Sequence, residues 1–429
     1  MKKIITTIVL GILPCIIFSQ AGHIMQGIGA VNMSMGGAAT AQPVDINGAL
    51  QWNVAGMAAF DKTTISGNAG LFYSSPKLSS TVTTTQGKMS GVTKDDRGVS
   101  VMPALAMVWA NKNSKHRIGL SAFGVSGFGV TFPESNSNPV NMPQSMGGFG
   151  RIQSDYQLLQ VSLAYSYKLS KDFSIGIAPA FNYSTLELAP NPLASPSPTL
   201  GYPVSNKATA LGFGGQVGLF YDQGRGIKFG ASYKTPQYFG SFDFKNTYLN
   251  GTKAPNVKFT MNYPAILSAG LGYSKKQFDL AVDYRFVNYA NTKGFEEKGW
   301  TSNASVAGFG WKNISIVSAG VQYKGISNLP LRVGYTYSSN PIPGNLAFFS
   351  VPATAVIKHA FQLGLGYEFS KHFTLNAVYH HGTSGGSTSG PLLSPMMKDP
   401  TNPYGAVPGS SVSYKMTTDL VMLGVNYSF

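Results

Sequence analysis

The sequence predicts an all-β chain folded as a 14-stranded antiparallel transmembrane β-barrel, on three observations. Alternating apolar and polar residues recur in about fourteen segments, and a side-chain period of two belongs to a strand. Short and long connections alternate between those segments, as in barrels that cross an outer membrane. Charged residues make up only 11% of the 429 residues, against roughly 25% in soluble proteins. Past the first twenty residues, no stretch approaches the ~18 continuous apolar residues of a membrane helix. In lipid every backbone polar group needs an internal partner, so a closed barrel is the economical fold.

The elements follow in order. Lys2 and Lys3 precede an apolar run from Ile4 to Phe18, so residues 1–20 read as a secretory signal peptide. Because Cys15 falls inside it, the remainder carries no cysteine, and disulfides and thiolate metal sites are not expected. Residues 21–60 are rich in glycine and alanine and nearly uncharged, which suits neither a linker nor a strand. The barrel is expected over 61–429, with strands near 62–74, 98–110, 116–128, 155–168, 172–187, 207–222 and 225–236. Seven more are expected near 256–274, 277–290, 313–325, 330–341, 357–370, 372–382 and 413–429.

The segment "QFDLAVDYRFVNYA" shows the pattern. Phe278, Leu280, Val282, Tyr284 and Phe286 share one face, and Asp279, Ala281, Asp283 and Arg285 share the other. In a membrane barrel the apolar set faces lipid and the charged set lines the lumen. In "FQLGLGYEF" the inward set is Gln362, Gly364, Gly366 and Glu368. Such small residues leave room inside a barrel for something other than side chains. Asp283, Arg285, Arg332 and Glu368 are expected to form an internal charge network, with a ligand contact by one arginine as the alternative.

Short turns such as "LSKDF", "DQGRG" and "SKKQF" define the periplasmic end, and the long loops define the outer end. Tyr165, Tyr167, Tyr221, Tyr273, Tyr323, Tyr367 and Phe369 precede short turns, as an interfacial aromatic girdle would. The closing "VMLGVNYSF" looks like the C-terminal signal of many outer-membrane barrels, which implies the barrel-assembly machinery as a partner. The net charge of +15 is scattered and turn-associated, which suits a rim beside anionic outer-membrane lipid better than a nucleic-acid patch. No nucleophile, base and orienting group fall together, so no enzyme, metal or cofactor is expected. His372 sits at the opposite end of its strand from His380 and His381, so the three cannot share a site.

Residues 318–382 resemble the FadL-type family of outer-membrane long-chain fatty acid and hydrocarbon transporters. The likeness is carried by Arg332, Gly334, Tyr337, Pro341, Pro343, His359, Gly364 and Tyr367, with Pro264 and Asp283 in the preceding block. The resemblance implies a monomeric barrel whose residues 21–60 fold inside the lumen as a hatch. It also implies passive uptake of hydrophobic small molecules, most of all long-chain fatty acids; the alternatives are other hydrocarbons such as alkanes and aromatics, or an outer-membrane barrel that is an enzyme or a structural protein. Capture is then expected in an outer groove at Phe132, Met142, Met146, Phe149, Leu193 and Leu200. A hatch pocket is expected at Ile24, Met25, Ile28, Met33 and Met35, and a lateral opening beside a third-strand kink at Gly124, Ser126, Gly127 and Gly129. Where the family has Asn-Pro-Ala, this chain has Asn53, Val54 and Ala55 followed by Gly56, so the hatch turn loses a fixed φ.

Overall fold

Along residues 278–287 the side chains alternate between exposed and buried, and the exposed ones are apolar: Phe278, Leu280, Val282 and Tyr284 face out while Asp279, Asp283 and Arg285 are buried. This inversion of a soluble core recurs around a closed antiparallel sheet. The computed structural model describes residues 22–429, so the expected signal peptide lies outside the described residues. The barrel strands are β1 (Lys62–Ser74), β2 (Val99–Asn111), β3 (His116–Phe132), β4 (Ile152–Lys168), β5 (Phe173–Ala189), β6 (Ala208–Asp222) and β7 (Ile227–Lys234). They continue as β8 (Ile266–Lys275), β9 (Phe278–Val287), β10 (Ile314–Tyr323), β11 (Leu331–Ser338), β12 (His359–Glu368), β13 (Phe373–Thr383) and β14 (Thr417–Ser428). Each pairs with its neighbours in sequence, and β14 closes on β1 from Thr64↔Ser428 to Ser74↔Thr418.

Two expected strands are shorter in the barrel than the alternation suggested. Lys253–Phe259 leaves the wall to pair with Phe242–Thr247 in an outer three-stranded sheet. Ser411–Lys415 likewise pairs with Lys77–Thr84, which forms a hairpin with Gly87–Lys94 in what read as a loop. A period of two marks a strand but not the sheet it joins, so strands that leave the membrane look like continuations.

The segment before β1 fills the lumen. It contains α1 (Gly29–Ser34), α2 (Ile46–Trp52) and a 3-10 turn (Val54–Ala59). Helices this short are marginal alone, and here the wall and side-chain caps hold them. Asp45 caps α2 by accepting from the Gly48 N–H at 3.0 Å. Asn53 caps the turn after it, accepting from the Ala55 N–H at 3.2 Å and donating to the carbonyls of Thr40 at 2.7 Å and Leu219 at 2.8 Å. Three hydrogen bonds thus fix the Asn53, Val54, Ala55, Gly56 turn without proline.

The wall meets this segment backbone to backbone. A Cβ added to Gly334 would lie 2.1 Å from the Gly36 nitrogen, and one on Gly230 would lie 1.9 Å from the Thr40 carbonyl oxygen. No other residue fits at either place. Asp283 Oδ2 accepts from the N–H groups of Ala39 at 2.8 Å and Thr40 at 2.9 Å and from the Thr40 hydroxyl at 2.7 Å. Arg285 donates to the Gly37 carbonyl at 2.6 Å and lies over the Trp52 ring at 3.8 Å.

Replacing Gly334 by Val therefore pushes the hatch off the wall, an overpacking cost of ~1–3 kcal/mol. Single-channel conductance in planar bilayers is expected to rise above wild type, while the heat-dependent gel shift of the folded barrel persists. Unchanged conductance would show that the hatch is not held by this contact.

Candidate functional site

The ladder between β2 and β3 stops halfway up the barrel. Its last pair is Ala104↔Phe123, and the next residue on β2 is Pro103, which has no N–H to donate. On its other side β3 stays paired with β4, but the register slips between Gly124 and Ser126, so Val125 is an extra bulged residue. A bulge bends its strand and breaks the local ladder. The edge of β3 freed in this way is taken by the hatch: Met25 N–H donates to the Val125 carbonyl at 3.1 Å, and Gly127 N–H donates to the His23 carbonyl at 3.1 Å. The Ser126 hydroxyl adds a bond to the same His23 carbonyl at 2.7 Å. The result is a stretch without cross-strand pairing, here called the window, between Val99–Pro103 of β2 and the bent half of β3.

A strap formed by residues 95–97 closes the top of the window. Asp95 Oδ1 accepts from the Thr131 N–H at 2.5 Å, the Asp96 N–H donates to the Thr131 carbonyl at 2.8 Å, and Arg97 pairs with Asp155 at 2.7 Å. Gly129 leaves the space that the Arg97 guanidinium occupies, since a Cβ there would lie 1.7 Å from it. Burial pushes the Asp95 carboxyl up to about 6, with its hydrogen bonds to Thr131 and Arg97 opposing the shift.

Inside the window, His23 is fully buried in a cage of rings. Tyr156, Tyr263, Tyr289, Phe295 and Trp311 have centroids 4.8 to 5.9 Å from its own. Its Nδ1 is 2.6 Å from the Tyr289 hydroxyl. Its Nε2 and the Tyr263 hydroxyl have no hydrogen-bond partner among the described residues. His23 fills the space between these rings, which presents ring faces and two unpaired polar atoms to each other at the centre of the cage.

Above the cage the outer loops form an apolar cleft of about 420 Å³, counting its open mouth. Val140, Phe149, Ile152, Val306, Phe348 and Phe349 line it along with four other side chains, none of them charged. Ile152 and Tyr156 lie on one face of β4, and Val306 of the cleft and Trp311 of the cage lie on one loop. Cleft and cage are therefore built on shared elements.

The sequence pattern of the family described as outer membrane protein transport protein (OMPP1/FadL/TodX) matches residues 19–428. The chain belongs to the OMPP1/FadL/TodX family. Among solved structures it is similar to the Pseudomonas putida toluene transporter TodX, with 18% identity over 94% of this chain and 99% of that one and a TM-score of 0.68. A Pseudomonas aeruginosa FadL homologue aligns with 15% identity over 95% of this chain and 100% of that one at a TM-score of 0.72. The Ralstonia pickettii toluene transporter TbuX aligns with 17% identity over 94% and 99% at 0.64. No curated protein matches the sequence. The chain is thus an outer-membrane β-barrel transport protein of FadL/TodX type.

In this FadL/TodX family member, several expected site residues stand elsewhere than the sequence suggested. Of the six assigned to the outer groove, Phe149 lines the cleft. Phe132 and Met142 are buried, Met146 is exposed, and Leu193 and Leu200 are half-buried. The adjoining loops supply Val306, Phe348 and Phe349 instead, a juxtaposition that no local pattern signals. Ile24, Met25, Ile28 and Met33 are buried in one apolar cluster with cage rings such as Tyr156 and Trp311, but Met35 packs separately against Ala38 and Ala281. Gly124, Ser126, Gly127 and Gly129 do flank the bulge. The four lumen charges do not form one network. Asp283 and Arg285 pair at 2.7 Å, whereas Arg332 binds Gln322 at 2.6 Å and Asn376 at 3.1 Å. Glu368 is exposed at the strand end, where its inward register runs out.

The raised Asp95 value means that folding favours the protonated acid. Its unfavourable contribution is absent below an unfolded value of about 3.9 and grows as pH rises through about 6. Asp95→Asn keeps an acceptor for Thr131 and cannot ionise. It is expected to unfold at the wild-type temperature at pH 4 and at a higher temperature at pH 7.5. Identical melting at both pH values would separate Asp95 ionisation from stability.

Proposed function

We propose that this protein is a passive uptake channel, not an enzyme, for hydrophobic small molecules. They bind first in the outer cleft, pass to the aromatic cage and leave sideways into the membrane through the window between β2 and β3. The observation that carries this reading is the interrupted β2–β3 ladder with its bulge at Val125, where the freed β3 edge bonds to the hatch segment 23–25 and the strap at 95–97 instead of to β2. An apolar molecule gains nothing from an aqueous lumen, and a gap at membrane depth gives it a path that stays apolar.

Long-chain fatty acids are the cargo we favour, on the resemblance of residues 318–382 to the fatty acid and hydrocarbon transporters. Monoaromatic hydrocarbons are the second reading. It is supported by the uncharged cleft, by the ring-lined cage and by similarity to the toluene transporters TodX and TbuX and to the monoaromatic hydrocarbon channel CymD.

Liposomes containing the protein should take up oleate or toluene faster than empty ones, and the faster cargo decides between the two readings. Phe149→Ala with Phe348→Ala should weaken capture about tenfold, from loss of two ring contacts worth ~1 kcal/mol or more. Deleting Val125 brings the Gly124 and Ser126 pairs into one register, and uptake should then fall at least tenfold while cleft binding is retained. Undiminished uptake after that deletion would rule out the lateral path. Removing residues 22–56 should leave a polar pore with raised ion conductance.

A further inference from the structure

The β1–β14 ladder runs on past the end of the barrel wall. Tyr73 pairs with Asp419, the Ser75 N–H donates to the Thr417 carbonyl at 2.9 Å, and Lys77 pairs with Lys415, all in one continuous register. On its other side Lys77 pairs with Lys94. Three exposed lysines therefore stand in one row across three neighbouring strands. Like charges directly opposite one another destabilise a sheet, and here the repulsion occurs twice. Among the described residues no carboxylate forms an ion pair with any of the three, whereas Lys207 finds Asp155 at 2.7 Å and Lys324 finds Asp279 at 2.8 Å. Asp419, the acid on the same ladder, is taken by the Tyr379 hydroxyl at 2.7 Å and His381 Nδ1 at 2.9 Å.

A lysine on an edge strand guards a sheet against further pairing, which accounts for Lys94. It does not account for Lys77 and Lys415, which lie on the two inner strands of the four-stranded outer sheet. The strands below set the height of the row. Ile65, Leu71 and Tyr73 of β1 point outward and are exposed to lipid, and the exposed Val99 of β2 lies opposite Tyr73. Four residues at ~3.3 Å each carry Lys77 roughly 13 Å further along a tilted strand, from the last apolar row into the headgroup layer. Beyond the lysines the same face turns to hydroxyls. Thr81 and Ser90 bond at 2.8 Å, as do Ser389 and Ser413, and both pairs are exposed.

We propose that Lys77, Lys94 and Lys415 bind the phosphate groups of an outer-leaflet glycolipid. The order of surfaces along the barrel matches such a molecule: acyl chains lie against Leu71, Tyr73 and Val99, phosphate meets the lysine row, and sugar faces the hydroxyls above it. A polyanionic headgroup also removes the repulsion that the register imposes on the sheet. The proposal is independent of which cargo the channel carries.

The test uses the full chain purified in an uncharged detergent, with native mass spectrometry measuring retention of bisphosphorylated lipid A, its dephosphorylated form and phosphatidylglycerol. Wild type is expected to hold lipid A at least tenfold more tightly than the dephosphorylated form, since each lysine beside anionic lipid contributes on the order of fivefold. Lys77→Gln, Lys94→Gln and Lys415→Gln together should bring the two within twofold. A charge-matched control, Lys88→Gln with Lys253→Gln and Lys258→Gln, removes three exposed lysines elsewhere on the outer sheets and should keep the preference. Should the first triple variant fail to fold, Lys77→Gln alone, at the centre of the row, is expected to weaken lipid A about fivefold. Equal losses in the two triple variants would reduce the attraction to diffuse charge and overturn the site. Displacement of lipid A by inorganic phosphate at equal concentration, or equal retention of phosphatidylglycerol, would overturn the glycolipid as its occupant.

Discussion

Asp283 carries the demand that organises the rest of this lumen, because a backbone brought inside a barrel still needs partners for its polar groups. One carboxylate oxygen accepts from Ala39, Thr40 and the Thr40 hydroxyl while pairing with Arg285, which in turn takes the Gly37 carbonyl. Hydrogen bonds to a charged group contribute ~1.5–3 kcal/mol each. Removing one member of a buried pair costs ~3–5 kcal/mol, since the other charge is left alone. The anchor therefore works only as a set. It holds residues 37–40 against β9, which lets the wall glycines receive the adjoining backbone. The hatch is then placed so that Trp52 lies under Arg285 and His23 reaches β3.

The window inherits its shape from this placement. A sheet edge inside a membrane protein is a liability, because its unpaired groups attract any other strand. Here the bulge at Val125 creates an edge, and two unlike devices cover it. The hatch supplies two backbone hydrogen bonds low on β3, and the strap at 95–97 supplies two more and an ion pair at the top. Each cover is held by few bonds and is continuous with a loop or a short helix.

The strands were legible because lipid outside and polar groups inside impose a strict period of two, and all fourteen expected segments overlap barrel strands. The small inward face of "FQLGLGYEF" likewise announced an occupant: a Cβ on Gly364 would lie 2.3 Å from the Ser34 side chain. The cage was not legible. His23 and Tyr289 are 266 positions apart, and Phe295, Phe309 and Trp311 belong to a loop whose inward fold leaves no periodic trace. The cleft failed for the same reason, since its walls come from four loops. Periodicity assigns a face to each residue of a strand and says nothing of which loops meet. The expectation for Glu368 failed at a strand end, where the alternation continues in sequence after the lumen has ended in space.

The vertical order of the lumen also bears on direction. Apolar surface is concentrated at the cleft and the cage. Below them Asp283 and Arg285 hold the hatch to the wall, Asp279 is bonded within the wall to Gln322 and Lys324, and Arg117 donates to the Phe60 carbonyl at 2.6 Å and pairs with Asp61 at 3.2 Å. A hydrophobic molecule descending this column would have to separate the buried Asp283–Arg285 pair and could offer nothing in return, at a cost of ~3–5 kcal/mol. Moving sideways from the cage, it would displace residues 23–25 from β3, Ser126 and Tyr289, breaking no ion pair, and enter lipid, where its transfer is favourable. The same polar column that anchors the hatch thus makes the downward path expensive, which supports the sideways exit proposed above.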